Sequence, residues 1–222
     1  MVAMARPYVV IYATMTVDGK IASKTGYSRL SCPYDLARLH TARANSDAVL
    51  VGANTVIKDN PLLTVRLVKG TNPIRVIVDG RLRSPIDARV YNTLDEAQTI
   101  VYTSTKANSR KIELLKSKGV EVLVSREYPI PVKFVLHDLY ERGVRRLLVE
   151  GGGEIIWFFV SEKLFDELRI TISPYIFGGI EAVSIVGGKG FSDLSDAVHL
   201  KLVDITPCEC GREVHLRYIV QK

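Results

Sequence analysis

The chain has 222 residues, a formal net charge of +6 and a hydrophobic fraction of 47%. That size and apolar content suit one large domain with a full core, and no apolar run approaches the ~20 residues of a membrane span, which argues against a disordered or membrane-spanning chain. The basic residues are scattered and the aromatics sit in apolar, strand-like stretches, so the positive balance points away from nucleic acid and towards small polyanionic ligands.

Tyr8 to Met15, apolar and β-branched after Pro7, reads as a buried strand, and Val17-Asp18-Gly19-Lys20 reads as a turn. Pro33 to Asn45 has helical spacing, with Pro33 suited to a first turn. Short strands are expected at Ala48 to Val51, Ile74 to Val78, Thr99 to Tyr102 and Val120 to Val124. Helices are expected at Ser109 to Lys118, closed by Gly119, and at Val132 to Arg142, closed by Gly143. Leu147 to Val149 returns to a strand and leads into Gly151-Gly152-Gly153, after which Ile155 to Val160 reads as a helix opened by Glu154. This alternation predicts an α/β fold with a mostly parallel central sheet. The tail changes character: Leu168 to Ile176, His199 to Ile205 and Glu213 to Val220 read as strands, the last two turned into an antiparallel hairpin by Cys210-Gly211-Arg212. With no repeat or linker, residues 1–222 are expected to form a single domain.

The stretch Leu147 to Glu154 (LLVEGGGE) carries the strongest chemical signal. Glycines allow close backbone approach, and the first N–H groups of a helix are unpaired donors at a partly positive end, so the pair makes a cradle for phosphate. A plain strand-to-helix turn with tightly packed glycines explains the same residues. Three further strand ends carry small, hydroxylated or glycine-rich residues: Gly52-Ala53-Asn54-Thr55, Asp79-Gly80-Arg81 and Thr103-Ser104. Ligands of open α/β sheets gather beyond such ends, and four together suit an extended phosphate-bearing ligand such as a dinucleotide. No G-x-G-x-x-G follows the first strand, so a nicotinamide cofactor would need an α/β arrangement other than the Rossmann type. Cys208 and Cys210 in P-C-E-C-G resemble half of a metal site without a second ligand pair. No metal is therefore expected, and with Cys32 the only other cysteine, a reduced cytoplasmic setting is. The first ten residues lack the apolar stretch and cleavage site of a signal peptide. Two glutamines in the whole chain lean towards a thermophilic source.

Six motifs in order carry a family resemblance: Met15 to Lys20 (MTVDGK), Leu39 to Asp47 (LHTARANSD), Val51 to Arg66 (VGANTVIKDNPLLTVR), Pro73 to Gly80 (PIRVIVDG), Val149 to Gly153 (VEGGG) and Ser173 to Gly179 (SPYIFGG). Over nearly its whole length the chain resembles the reductases of riboflavin biosynthesis, whose fold is like that of dihydrofolate reductase. The resemblance implies delivery of an NADPH hydride to C1′ of a ribosylamino-pyrimidine 5′-phosphate, with NADH as the less expected donor, in a cytoplasmic homodimer. The bacterial proteins couple this module to a zinc deaminase with H-x-E and P-C-x-x-C; neither occurs here, so deamination is not expected. Similarity to stand-alone archaeal and fungal enzymes favours the 2,5-diamino-pyrimidinone substrate over its deaminated uracil analogue, and a non-catalytic nucleotide-binding module is the remaining alternative.

By the same resemblance, Thr14, Leu30, Thr55, Asp59, Gly80 and the turn Gly151, Gly152, Gly153 and Glu154 contact the cofactor. Ser28, Arg43, Leu63, Arg66 and Glu150 contact the substrate. Arg81, Thr103 and Ser104 are added around the adenosine end, where a guanidinium would favour a 2′-phosphate; simple turn formation is the other reading of the two hydroxyls. Asp18, Lys20 and Glu150 are the candidates for the chemistry itself, Asp18-Gly19 being equally well a plain turn. The apolar residues Trp157, Phe158, Phe159, Phe165, Ile170 and Ile172 serve equally as core or as a subunit face.

Overall fold

A computed structural model describes residues 5–221, so part of the leader expectation, residues 1–4, lies outside the described residues. The chain divides into two compact units, one of residues 5–8 and 40–148 and one of residues 9–39 and 149–221.

In the first unit, β3 (Ala48–Gly52), β4 (Ile74–Val78), β5 (Thr99–Ser104) and β6 (Glu121–Ser125) lie side by side in that order, all parallel. Every residue of β3 and of β5 is buried, as expected for parallel strands covered on both faces. Parallel neighbours need crossovers, and helices supply them: α2 (Ala53–Asp59), α3 (Arg89–Asn92) and α4 (Ser109–Ser117), followed by α5 (Val132–Glu141). The side chain of Asn108 caps α4 by accepting from Lys111 N at 3.2 Å, and Gly119 ends it with φ of 91°. Arg75 on β4 is wholly buried, and its guanidinium donates to the carbonyls of Leu62, Thr93 and Ala97 and to the Thr93 hydroxyl. Carbonyls left without partners by two irregular connections are thereby satisfied by one side chain.

The second unit holds β1 (Tyr8–Thr16), β8 (Glu167–Ser173), β11 (Val214–Val220) and β10 (Leu200–Pro207), in that order. β8 runs parallel to β1, with Val10 opposite Glu167 and Thr16 opposite Ser173, while β11 and β10 follow antiparallel. α1 (Pro33–Ala44) and β7 (Arg146–Gly151) each begin in one unit and end in the other along the chain. α6 (Gly153–Ser161) and a short antiparallel pair, β2 (Lys20–Ala22) with β9 (Val183–Ser184), complete this unit. The result is the α/β class expected, a mixed and mostly parallel sheet flanked by helices with antiparallel strands at the C-terminal end.

Several elements differ from the sequence reading. Residues 53–55, read as a strand-end turn, are the first turn of α2, and Asp59 is its last residue. Thr103 and Ser104, read as following a strand, lie within β5 and are wholly buried. α3, β2 and β9 were not anticipated.

Candidate functional site

In the first unit two clusters stand out. Arg43, in the last turn of α1, donates to Thr64 O at 3.1 Å, and Arg66 donates to Thr64 Oγ1 at 2.6 Å, so two guanidinium groups converge on one residue. His40 accepts from Arg66 N through Nδ1 at 2.8 Å, which fixes the loop that carries Arg66 and requires the ring proton on Nε2. Leu63, wholly buried, takes the left-handed conformation with φ of 57°, turning the chain so that Thr64 faces Arg43. This brings Arg43 and Arg66 together at Thr64, next to Leu63. Planar, permanently charged forks at this spacing suit a phosphate or carboxylate.

The second cluster lies at the carboxyl ends of β4 and β5. Ser104 Oγ donates to Gly80 O at 2.6 Å and Thr103 Oγ1 to Asp79 O at 2.8 Å, so both hydroxyl hydrogens knit the strand ends together. A Cβ on Gly80 would come within 2.9 Å of the Tyr128 ring, so this position admits only glycine without displacing that ring. Arg81 and Lys106 both lie over the same ring, at 5.2 and 4.4 Å from its centroid. Arg83 reaches Asn54 Oδ1 at 2.8 Å from the α2 side, and Lys111 donates to Ser84 O. Thr55 lies in the first turn of α2, beside Asn54, and Asp59 is its last residue. Lys106, Arg83 and Tyr128 escaped the sequence reading; a tyrosine 48 residues beyond Gly80 carries no local signal.

In the second unit, Asp35 is the hub. Wholly buried at the start of α1, its carboxylate accepts from Tyr12 OH, Thr14 Oγ1 and Thr171 Oγ1, each at 2.6 Å. Thr14 in turn accepts from Ser31 at 2.9 Å, and Thr171 Oγ1 lies in hydrogen-bonding distance of His215 Nδ1 at 2.8 Å. Burial, and then the Asp35 charge, push the Tyr12 phenol far above its ordinary range, so it remains a donor. Thr14 therefore arrives with its hydroxyl hydrogen committed to Asp35. Leu30 is buried on the same stretch, its N–H donating to Ser28 O at 2.9 Å.

Asp18 is held differently. Its carboxylate accepts from Thr16 Oγ1, from Gly178 N at 2.7 Å and from Phe177 N at 3.2 Å. The Thr16 hydroxyl first, and then these backbone donors, hold its pKa below the usual carboxylate value despite some desolvation. A carboxyl kept ionised is poorly suited to donate a proton, and the geometry makes Asp18 a latch for the 177–178 loop. Lys20 Nζ donates to Ser184 Oγ at 3.1 Å across the β2–β9 pair.

Glu150 sits half-buried near the end of β7, followed by Gly151 with φ of 98° and by a cis peptide between Gly151 and Gly152. Gly152 is the N-cap of α6 with no side-chain cap, so the backbone donors of its first turn are the chemistry on offer. A second glycine cluster, Gly187-Gly188, folds against this turn: Gly187 N donates to Gly153 O at 3.0 Å and Gly188 N approaches Glu154 Oε1 at 3.4 Å. The fit is tight, since a Cβ on Gly153 would come within 2.5 Å of Ser184 O and one on Gly188 within 2.0 Å of the Trp157 ring. Sequence reading passed over V-G-G-K-G at 186–190, although its composition was a signal.

Compared with known proteins, residues 7–215 match the model of the RibD C-terminal domain. The chain belongs to that family. A 2,5-diamino-6-ribosylamino-4(3H)-pyrimidinone 5′-phosphate reductase of Aquifex aeolicus is 41% identical over 204 residues, covering 90% of this chain and 91% of the relative. A solved deaminase/5-amino-6-(5-phosphoribosylamino)uracil reductase of Thermotoga maritima aligns with a TM-score of 0.80 at 32% identity, covering 97% of this chain and 57% of that one. A dihydrofolate reductase of Enterococcus faecalis, 13% identical, aligns over 97% of each chain with a TM-score of 0.57 and shows the fold alone. This RibD-type chain is thus an oxidoreductase of the riboflavin-biosynthesis reductases, on a dihydrofolate-reductase-like fold. Among the described residues no helix is long and apolar enough to cross a membrane.

Proposed function

We propose that the chain reduces 2,5-diamino-6-ribosylamino-4(3H)-pyrimidinone 5′-phosphate to its ribitylamino form, working as one reductase domain. The observation that carries this reading is the convergence of Arg43 and Arg66 on Thr64 beside the strained Leu63. A phosphate monoester, with about −1.5 to −2 charges near neutral pH, is the anion such a pair suits. Ser28 and Glu150 are the polar partners proposed for its ribose and base. The name of the Aquifex relative supports the diamino substrate. That of the Thermotoga protein supports the deaminated uracil as the second reading.

The residues fit NADPH. Uncapped backbone donors at Gly152, Gly153 and Glu154 suit its pyrophosphate, with Gly151 supplying the turn before them. Arg81 and Lys106 suit the adenosine 2′-phosphate, and this favours NADPH over NADH, with Thr55 and Gly80 proposed for the same cofactor; Thr103 and Ser104, buried with their hydroxyl hydrogens given to Asp79 O and Gly80 O, tie the strand ends instead. Thr14 and Leu30 are proposed for the nicotinamide end, with Asp59 at the far end of α2. When bound, NADPH supplies the hydride that reduces C1′ while the C1′–O4′ bond opens. The chain's own contribution is positioning: the arginine pair grips the phosphate, Glu150 accepts from amino or hydroxyl groups, and Asp35 fixes Thr14. With Asp18 held ionised, the proton for O4′ comes from solvent, and Lys20 serves as a fixed cation beside the reaction.

A cytoplasmic homodimer is part of the same proposal. The free cysteines suit a reducing compartment, and Leu202, Val203 and Ile205 expose an apolar row on the edge strand β10. The deciding experiment follows loss of nicotinamide absorbance with each of three substrates: the diamino compound, its deaminated analogue and dihydrofolate. Turnover with the diamino compound is expected to dominate; turnover with none of them would leave only a nucleotide-binding module.

A further inference from the structure

The three cysteines separated in sequence come together in the second unit. Cys208 and Cys210 lie in the turn between β10 and β11, and Cys32 precedes Pro33 at the start of α1, with its sulfur 3.5 Å from that of Cys208. Glu213 immediately precedes β11, and one ligand atom from each of Cys32, Cys208, Cys210 and Glu213 lies within 4.8 Å of the other three. Sulfur atoms bound tetrahedrally at about 2.3 Å to a zinc ion stand roughly 3.8 Å from one another. The observed cluster therefore reaches that geometry with side-chain shifts of about 1 Å or less, the Cys32–Cys208 pair at 3.5 Å opening slightly.

We propose that Cys32, Cys208, Cys210 and Glu213 form a structural zinc site that ties the β10–β11 turn to the first turn of α1. A second, independent observation points the same way. Glu213 is buried; its Oε1 accepts from Cys32 N at 2.8 Å, while Oε2 is buried and has no hydrogen-bond partner. A buried carboxylate oxygen without a donor is costly, and a cation supplies what the protein does not. The backbone N–H of Asp35 donates to the Cys32 sulfur at 3.4 Å, which holds that sulfur at the start of α1.

Three thiolates and one carboxylate form a soft-dominated donor set that selects zinc over magnesium or calcium. Four protein ligands leave no open position, so the site is structural rather than catalytic. The other nearby set, Cys208 with Glu209 and His215, offers a single sulfur and an exposed carboxylate. Binding displaces any protons the three thiols carry to solvent. Asp35 lies three residues after Cys32, so the metal would also steady the carboxylate that organises Tyr12, Thr14 and Thr171. The relevance of that to catalysis rests on the proposed function, whereas the metal readout does not.

The test uses the full chain, purified with reductant from zinc-supplemented cells, and the same protein stripped with chelator and titrated with Co²⁺. The expected result is one zinc per chain by elemental analysis, a lower unfolding temperature after stripping, and intense thiolate-to-cobalt absorption in the near ultraviolet that zinc abolishes. Cys32→Ala, Cys208→Ala and Cys210→Ala should each lose most of that absorption, and His215→Ala should keep it. Should a cysteine variant fail to fold, Glu213→Gln, checked by circular dichroism, should weaken zinc binding by at least about tenfold. Zinc-free protein whose stripped form gives no thiolate–cobalt band would overturn the proposal. So would a Cys32–Cys208 disulfide in that protein, or metal binding unchanged in Cys32→Ala.

Discussion

Replacing Gly153 with alanine sets two effects of opposite sign against each other. As a helical residue at the start of α6, Gly153 would gain up to about 1 kcal/mol of helix propensity from alanine. The new Cβ, however, would lie 2.5 Å from Ser184 O, 3.3 Å from Gly187 N and 3.6 Å from Ile185 O, and the nearest of these is backbone and cannot rotate away. Moving from 2.5 Å to an ordinary 3.4 Å contact takes about 0.9 Å of displacement. That strains the Lys20–Ser184 pairing and the 3.0 Å bond from Gly187 N to Gly153 O. Overpacking costs about 1–3 kcal/mol and a weakened hydrogen bond ~0.5–1.5 kcal/mol, so the net expectation is a loss of about 1–3 kcal/mol. For a chain of this size that is a fall in Tm of roughly 2–12 °C. Because the displaced backbone lies against the proposed pyrophosphate donors, KM for NADPH should rise more than kcat falls. Thermal unfolding and steady-state kinetics read both quantities. An unchanged or higher Tm with an unchanged KM would refute the reasoning.

Arg43→Ala should lower kcat/KM by about 10–100-fold, as expected for losing a charge-assisted bond of roughly 1.5–3 kcal/mol, and Asp18→Asn should cost less in the same assay; the reverse ranking would count against phosphate grip as the main source of rate. Arg81→Ala combined with Lys106→Ala should shrink the preference for NADPH over NADH without changing kcat for NADH, measured with both cofactors. Asp35→Ala strands the hydroxyls of Tyr12, Thr14 and Thr171 and should destabilise by about 3–5 kcal/mol in denaturant unfolding, well beyond Thr14→Val. Glu167 resists burial, which raises its pKa, because Arg217 and Arg169 outweigh it and hold the carboxyl below its usual value. Its contribution is present above the unfolded pKa of about 4.3 and lost as pH falls through the lower folded value, so Glu167→Gln should flatten the acid limb of the stability–pH curve.

Ala48–Gly52 announced itself because a parallel strand buried on two faces reads as a continuous apolar run, and Ile74–Val78 shows the same pattern interrupted only by Arg75. α2 was invisible for a local reason: Gly52 caps it without a side chain, its seven residues carry little amphipathic signal, and its end is set by Asn60 in the left-handed region. β2 and β9 are three and two residues long and pair across a separation no window along the chain can see. The site divides the same way. Arg43 and Arg66 could be named from motifs, but their meeting point, Thr64, depends on the backbone turn at Leu63. Cys32 lies 176 residues before Cys208, so the spacing of P-C-E-C-G could show only half of its cluster.

The order in which the two units draw on the chain has a consequence for synthesis. Residues 40–148 form one continuous stretch, whereas the other unit needs both 9–39 and 149–221. β1 pairs with strands that come late in the chain, β8 among them, with Val10 opposite Glu167. On the ribosome the middle of the chain can collapse while the strand YVVIYATMT waits, apolar and unpaired, for more than half of the polypeptide to be made. Such long-range closure slows folding, and the nascent chain therefore carries a sticky segment in β1 until those later strands are made. Chaperone demand should concentrate there, and should fall sharply once the C-terminal strands emerge.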